Sequence, residues 1–130
     1  MKKVFLICLL FSLTSCNSQE KKSNNYINVS VEEFQQLITK KNSQLLDVRT
    51  PSEYKEGHIK KAKLINFFDK DFFEQVTKEF DKNQPIYLYC RSGGRSAKAA
   101  RIFKSEGFKK VYNLLGGLNA WKGKNLKIEK

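Results

Sequence analysis

Short apolar runs alternate with amphipathic segments along most of the chain. The apolar runs predict five short strands, at Ile27–Val29, Leu45–Val48, Lys63–Ile65, Ile86–Tyr89 and Val111–Leu114. Between them, apolar side chains recur at helical spacing, as at Val31, Phe34 and Ile38. Strands that alternate with helices are typical of a parallel sheet. The pattern therefore predicts an α/β fold with a mainly parallel five-stranded sheet and helices on both faces.

Three of the predicted helices begin with residues that are suited to capping. The segments Ser30–Glu33 and Thr50–Glu53 each have the spacing of a capping box, and the second has proline at the first helical position. Asp69 or Asp71 is expected to cap the helix that precedes the fourth strand. The glycines Gly57 and Gly107 are expected to end helices.

The first 25 residues differ from the rest of the chain. Two lysines precede the apolar run Val4–Leu13, which is too short to cross a bilayer and has the length of a secretory signal. The following LTSC resembles a bacterial lipobox, which implies a signal peptide over residues 1–15 and lipidation of Cys16. A cleaved but unlipidated signal is the alternative. Residues 16–25 then form a lipidated cysteine with a flexible polar tether, and residues 26–130 form the domain.

The composition fits one globular domain, with 40% hydrophobic and 29% charged residues. The formal net charge is +12, and removing Lys2 and Lys3 leaves 23 basic and 13 acidic residues. Such an excess often indicates nucleic-acid binding, but export argues against that partner. Attraction to anionic substrates, attraction to lipid headgroups, or simply a solvated basic face explains the charge. A monomer in the bacterial cell envelope is expected.

One of the three cysteines is expected to remain as a free thiol. The chain has Cys8, Cys16 and Cys90. Cys8 leaves with the signal segment and Cys16 is acylated, so the mature domain keeps a single free thiol and forms no internal disulfide. A leftover cysteine in an exported protein is either a reactive group or a buried small apolar residue.

The loop around Cys90 favours the reactive alternative. Cys90 heads the run CRSGGRS between an apolar strand and a helix start, where unpaired N–H groups and the helix dipole stabilise an anion. Gly93 and Gly94 allow the backbone to turn its amides inward, and Arg95 and Arg91 add positive charge. Ser92 and Ser96 offer hydroxyl donors. These groups are expected to lower the pKa of the thiol and to bind an anionic substrate.

The run CRSGGRS resembles the active-site loop of rhodanese-like domains. The stretches LLDVRTPSEYKEGHI (45–59) and LGGLNAWK (115–122) resemble two further segments of that family, in the same order. The resemblance implies a sulfurtransferase with Cys90 as nucleophile and residues 91–96 as the loop that binds substrate and persulfide. It also implies a small anionic sulfur donor such as thiosulfate, and a thiol, a protein or cyanide as the acceptor.

Three further residues are expected to support the site. By the resemblance, Asp47 ends a strand, Arg49 approaches the substrate entrance, and both orient the active site. A structural ion pair is the alternative for both. His58 is the only histidine, so no metal site is predicted and Cys90 has no evident histidine partner. The resemblance implies a structural position for His58, with a catalytic base as the alternative. No cofactor is predicted.

Two alternatives to a sulfurtransferase remain. The first is a binding or redox-sensing module of the envelope, in which Cys90 holds an oxidised state for a partner without efficient turnover. The second is phosphatase or arsenate reductase chemistry. Tyrosine phosphatases place five residues between the cysteine and the arginine, whereas four separate Cys90 from Arg95. The resemblance implies a loop that is too tight for a phosphoryl group.

Overall fold

The structure is a computed structural model that describes residues 25–130. Its strands are β1 (Ile27–Val29), β2 (Gln44–Asp47), β3 (Lys63–Leu64), β4 (Ile86–Tyr89) and β5 (Val111–Leu114). Its helices are α1 (Val31–Leu37), α2 (Pro51–Glu56), α3 (Phe72–Glu79), α4 (Gly94–Ser105) and α5 (Gly117–Gly123). The predicted signal peptide and most of the predicted tether, including Cys16, lie outside the described residues. No helix within residues 25–130 is both long and apolar enough to cross a membrane.

The five strands form one parallel sheet. The strand order is β1-β5-β4-β2-β3, and every neighbouring pair is parallel. The prediction of a five-stranded α/β fold is therefore confirmed. Two strands end one residue earlier than predicted, although the N–H groups of Val48 and Ile65 continue the hydrogen-bonding pattern to Tyr89 and Asp47.

Two apolar clusters cover the faces of the sheet. The side chains of β4 alternate between them, with Ile86 and Leu88 on one face and Tyr87 and Tyr89 on the other. Helices α3 and α4 pack on the first face, whereas α1 and α5 pack on the second, where Trp121 is buried. Within residues 25–130, helices cover both faces of the sheet and bury two apolar clusters, so this segment has a hydrophobic core of its own.

The helix starts match the capping predictions only in part. The Thr50–Glu53 box is complete, with Thr50 and Glu53 each accepting a hydrogen bond from the other's backbone N–H. The Ser30 hydroxyl accepts from the Glu33 N–H, but the return bond is missing. The predicted side-chain cap of α3 is wrong, because Asp71 accepts instead from the Gln75 side chain one turn later.

Candidate active site

The sulfur of Cys90 lies where the central strand β4 meets the N-terminus of the 12-residue helix α4. The Gly93 N–H donates to Cys90 Sγ at 3.0 Å, and the Ser96 hydroxyl lies 3.3 Å from the same atom. The backbone N–H groups of Ser92 and Ser96 also stabilise the sulfur. Burial raises the pKa of the Cys90 thiol, but the combined hydrogen bonds outweigh it and lower the pKa below 9.0. The loop thus lowers the pKa of the thiol, as predicted.

The two loop glycines have different roles. Gly93 has φ of +107° as the residue before α4, a conformation that favours glycine, and this turn directs its N–H to the sulfur. Gly94 is the first residue of α4, and a Cβ at this position would meet no atom within 4 Å. The requirement for glycine that was predicted for both positions therefore applies to Gly93 alone.

Arg95 binds a carboxylate from another helix. Its guanidinium forms two hydrogen bonds of 2.8 Å with the two carboxylate oxygens of Glu53. The hydrogen bond from Arg95 is the main reason that the pKa of Glu53 falls from 4.5 to about 2. The guanidinium also lies 5.7 Å from the ring centre of Phe68, whose side chain is exposed. Arg95 therefore joins the start of α4 to α2, and its charge is largely neutralised by Glu53.

Arg91 is the exposed cation of the loop. A cleft of about 180 Å³ lies beside the loop, and its basic lining residues are Arg49, Arg91 and Lys122. Two carboxylates, Glu53 and Glu56, line the same cleft, and one of them is already bound to Arg95. The cleft has the size and charge to admit a small anion.

The N-terminus of α5 fixes the outer side of the loop. The N–H of Leu118 donates to the carbonyl of Cys90 at 2.9 Å, and the N–H of Asn119 donates to the carbonyl of Arg91 at 3.0 Å. Gly117 lies directly against these carbonyls, since a Cβ there would be 2.5 Å from the oxygen of Cys90. Because the carbonyls are held outward, the amides that follow them can point inward to the sulfur.

Asp47 and Arg49 form a buried ion pair. Arg49 Nη2 and Nε both donate hydrogen bonds to the Asp47 carboxylate, and the Nη2 contact is 2.7 Å. Nη2 also donates to the Gly57 carbonyl at 2.7 Å. Asp47 is fully buried and Arg49 is 4% exposed. The pair ties the end of β2 to the end of α2. The structural ion pair predicted as one alternative is therefore present. Arg49 also lines the cleft, and its role near a substrate entrance stays a prediction.

His58 has structural contacts. Its ring stacks on Tyr54 with centroids 3.7 Å apart, and its Nδ1 lies 3.0 Å from the Tyr54 carbonyl. Its backbone exchanges hydrogen bonds with Glu129, which fastens the C-terminal residues to the domain. The structure thus places His58 where the family resemblance implied a structural residue.

Replacing Ser96 by alanine is expected to raise the pKa of Cys90, because the variant loses the hydroxyl that donates to the sulfur. A hydrogen bond to a charged group contributes about 1.5–3 kcal/mol, so reactivity near neutral pH should fall about tenfold or more. The rate of alkylation of Cys90, measured across pH, should become equal in the variant and the wild type at alkaline pH, where both thiols are ionised. Ser105→Ala, at the far end of α4, is the control. Unequal rates at alkaline pH would instead indicate a distorted loop.

Two features of the site were not predicted from the sequence. The contact between Gly117 and Cys90 joins residues far apart in the chain, and the Gly116-Gly117 pair is its only local signal. The bond between Arg95 and Glu53 joins two helices, and the sequence gives no local signal of it. Both pairings depend on how α2 and α5 meet at the carboxyl edge of the sheet.

Comparisons with known proteins agree with this geometry. Residues 30–124 match the sequence profile of the Rhodanese-like domain. The chain is 35% identical over 107 residues to thiosulfate sulfurtransferase GlpE of Vibrio cholerae, covering 82% of this chain and 97% of the relative. It is 33% identical over 115 residues to thiosulfate sulfurtransferase 18 of Arabidopsis thaliana, covering 80% and 84% of the two chains.

A solved structure gives the same result. The rhodanese-like domain of the Alr3790 protein from Anabaena superposes with a TM-score of 0.71 at 26% identity, covering 81% of this chain and 80% of that one. The profile match extends from the start of α1 to the end of α5 and includes the Cys90 loop. On this evidence, the chain belongs to the family of single-domain rhodanese-like proteins, which includes thiosulfate sulfurtransferases of the GlpE type.

Proposed function

We propose that the protein is a sulfurtransferase that moves a sulfane sulfur from a small anionic donor to a thiol or cyanide acceptor through a persulfide on Cys90. The observation that carries the proposal is the position of Cys90 Sγ, which receives backbone N–H groups and the Ser96 hydroxyl at the N-terminus of α4. Two relatives named thiosulfate sulfurtransferase support it.

The reaction has two steps. With thiosulfate as donor, the Cys90 thiolate attacks the outer sulfur, the sulfur–sulfur bond of the donor breaks, and sulfite leaves with the bonding electrons. In the second step, a thiolate or cyanide attacks the outer sulfur of the persulfide, and the Cys90 thiolate is released. Negative charge stays on sulfur throughout, so fixed N–H donors stabilise each stage without a proton transfer.

The surroundings of Cys90 also fit this substrate class. Arg91 and Lys122 line the adjoining cleft and attract an anion, while the burial of Cys90 favours a small donor. Among the described residues Cys90 is the only cysteine, so this part of the chain offers no second thiol to discharge the persulfide. Cys8 would leave with the proposed signal peptide and Cys16 would carry the proposed lipid, so the acceptor in this proposal is an external molecule.

We further propose that the protein acts in the bacterial cell envelope, anchored through lipid on Cys16. The support is the order of Lys2 and Lys3, the apolar run and the LTSC sequence. Metabolic labelling with a radioactive fatty acid is expected to mark the wild-type chain and to leave Cys16→Ser unlabelled. Equal labelling of both chains would contradict the anchor.

The activity can be tested with the chain that begins at Ser18. It should form thiocyanate from thiosulfate and cyanide, at a rate that saturates with thiosulfate, and should leave p-nitrophenyl phosphate intact. Hydrolysis of the phosphate ester without thiocyanate formation would overturn the proposal in favour of phosphatase chemistry.

The burial of Cys90, which is 1% exposed, favours a second candidate. Restricted access to the sulfur suits a binding or redox-sensing module that holds a persulfide for one partner. Such a module would load sulfur once but would not turn over with small acceptors. A burst of sulfite equal to the protein concentration, without continued thiocyanate formation, would identify it.

A further inference from the structure

Lysines are concentrated at the edge of the sheet opposite the Cys90 loop. In a parallel sheet, all connections from a helix to the next strand arrive at the amino ends of the strands, whereas Cys90 follows the carboxyl end of β4. Each of the four such connections carries at least one lysine. We call this set the basic edge, and its members are Lys40, Lys41, Lys60, Lys61, Lys82, Lys109 and Lys110.

Contacts between neighbouring connections make the basic edge one surface. The side chain of Gln44, at the start of β2, exchanges hydrogen bonds with the backbone of Asp81. The N–H of Lys109 donates to the carbonyl of Lys82 at 3.0 Å. Three of the four connections are thereby joined in a row across β2, β4 and β5. The carboxylates in the connections are those of Asp81 and Glu106, so positive charge predominates.

The fourth connection joins the row through a groove of about 900 Å³. Five lysines line it, and no carboxylate is among its lining residues: they are Lys40, Lys41, Lys60, Lys61 and Lys127. Its apolar lining includes Ile38, Ile59, Trp121 and Leu126. Five ammonium groups around one concave surface repel each other, so the groove favours a partner that carries several negative charges.

The predicted tether enters at the same edge. Strand β1 runs parallel to the others and begins at Ile27, so the chain arrives from the tether at the amino ends of the strands. Strand β1 pairs with β5, and β5 directly follows Lys109 and Lys110. A tether of nine residues, 17–25, reaches about 30 Å at full extension. A lipid on Cys16 would therefore hold the basic edge within one domain diameter of a bilayer.

We infer that the basic edge docks on the anionic phospholipid headgroups of the membrane to which the tether leads. The direction of approach rests on the proposed lipid anchor at Cys16, whereas the affinity for anionic lipid follows from the basic edge alone. Because the tether confines the domain near the surface, weak attraction by several lysines suffices to orient it. Docked in this way, the Cys90 loop faces away from the bilayer and is open to soluble donors and acceptors.

Vesicle co-sedimentation tests the inference with the chain that begins at Ser18, because an attached lipid would itself cause membrane binding. This chain should bind vesicles of equal parts phosphatidylglycerol and phosphatidylcholine in about 0.1 M salt, and should dissociate in about 1 M salt. Vesicles of phosphatidylcholine alone should not bind it. Absence of binding to the anionic vesicles, or equal binding to both vesicle types, would overturn the inference.

Matched variants separate the basic edge from net charge. The triple variant Lys40→Gln, Lys41→Gln, Lys60→Gln should weaken the vesicle partition coefficient roughly tenfold to a hundredfold. The control variant Lys55→Gln, Lys70→Gln, Lys98→Gln removes the same charge from exposed positions outside the basic edge. It should change the vesicle partition coefficient less than about threefold. Lys61 is left intact because its φ is +69°.

An equal loss of binding in both variants would overturn the inference, because binding would then depend on net charge only. Thiocyanate formation provides an independent readout for each chain. If the wild-type chain forms thiocyanate but does not bind anionic vesicles, docking is wrong and the proposed sulfurtransferase activity stands. If the chain binds anionic vesicles but does not form thiocyanate, docking stands and the proposed sulfurtransferase activity is wrong.

Discussion

Replacing Cys90 by serine is expected to abolish thiocyanate formation, with a fall in kcat of roughly 10⁴-fold or more. The serine hydroxyl is similar in size to the thiol and can receive the same N–H donors that now reach the sulfur. It is not ionised at neutral pH, however, and its oxygen cannot form a persulfide. Initial rates with thiosulfate and cyanide check the result.

The design of this experiment depends on an intact fold. Thermal unfolding of Cys90→Ser should remain cooperative and close to wild type, because the substitution changes one buried atom that already accepts hydrogen bonds from Gly93 and Ser96. Thiocyanate formation at the wild-type rate in a folded Cys90→Ser chain would show that another group carries the chemistry. Ser105→Ala, which alters a hydroxyl on the exposed end of α4, should retain full activity.

Replacing Gly117 by alanine is expected to lower kcat/KM about 100-fold, the scale of loss that follows a displacement of about 1 Å at a reacting group. The φ of Gly117 is +56°, and a Cβ there would lie 2.5 Å from the oxygen of Cys90 and 2.7 Å from the carbonyl atoms of Arg91. These are backbone atoms of the loop, so relief requires the loop itself to move. The backbone strain should also lower the free energy of unfolding by about 1–3 kcal/mol.

A second glycine of α5 provides the matched control. Gly123 ends the same helix, and a Cβ there would meet no atom within 4 Å. Gly123→Ala should therefore keep both activity and stability. Activity should be measured well below the unfolding temperature of each variant, so that loss of folded protein is not mistaken for loss of catalysis. Full activity in a folded Gly117→Ala chain would refute the role assigned to the N-terminus of α5.

The fold was predictable because its signals are local. Alternating side chains in β4 lie on two covered faces, so the strand is apolar throughout, and the Thr50–Glu53 box lies within four consecutive residues. The side-chain cap expected for α3 failed because Asp71 had two choices nearby, and its carboxylate bonds Gln75 rather than the first turn of the helix. Propensity alone does not decide between such competing local bonds.

The active site was predictable to a smaller extent. The nucleophile and its N–H donors come from one continuous loop, and Cys90 therefore stood out in the sequence. The residues that hold this loop in place come from other parts of the chain, since Glu53 contacts Arg95 from α2 and Gly117 contacts Cys90 from α5. The charge of Arg95 was expected to act on substrate, but its pairing with Glu53 depends on tertiary packing that no local pattern reports.

The roles of Asp47 and Arg49 illustrate the same limit. The sequence places Asp47 at the end of a strand and Arg49 just after it, but does not tell whether the guanidinium points into the protein or to the cleft. In the structure, Arg49 bonds Asp47 and the Gly57 carbonyl while it also lines the cleft. Only the tertiary structure shows that the ion pair is buried and that the same arginine also borders the cleft.

The most direct test of the central claim is the mass of the Cys90 peptide after the protein has been mixed with thiosulfate. The chain that begins at Ser18 should release one sulfite per protein molecule, and the peptide that contains Cys90 should gain the mass of one sulfur atom. Adding cyanide should then restore the original mass as thiocyanate forms. An unchanged Cys90 peptide in folded protein, or a sulfur atom found on any other residue, would contradict a persulfide on Cys90.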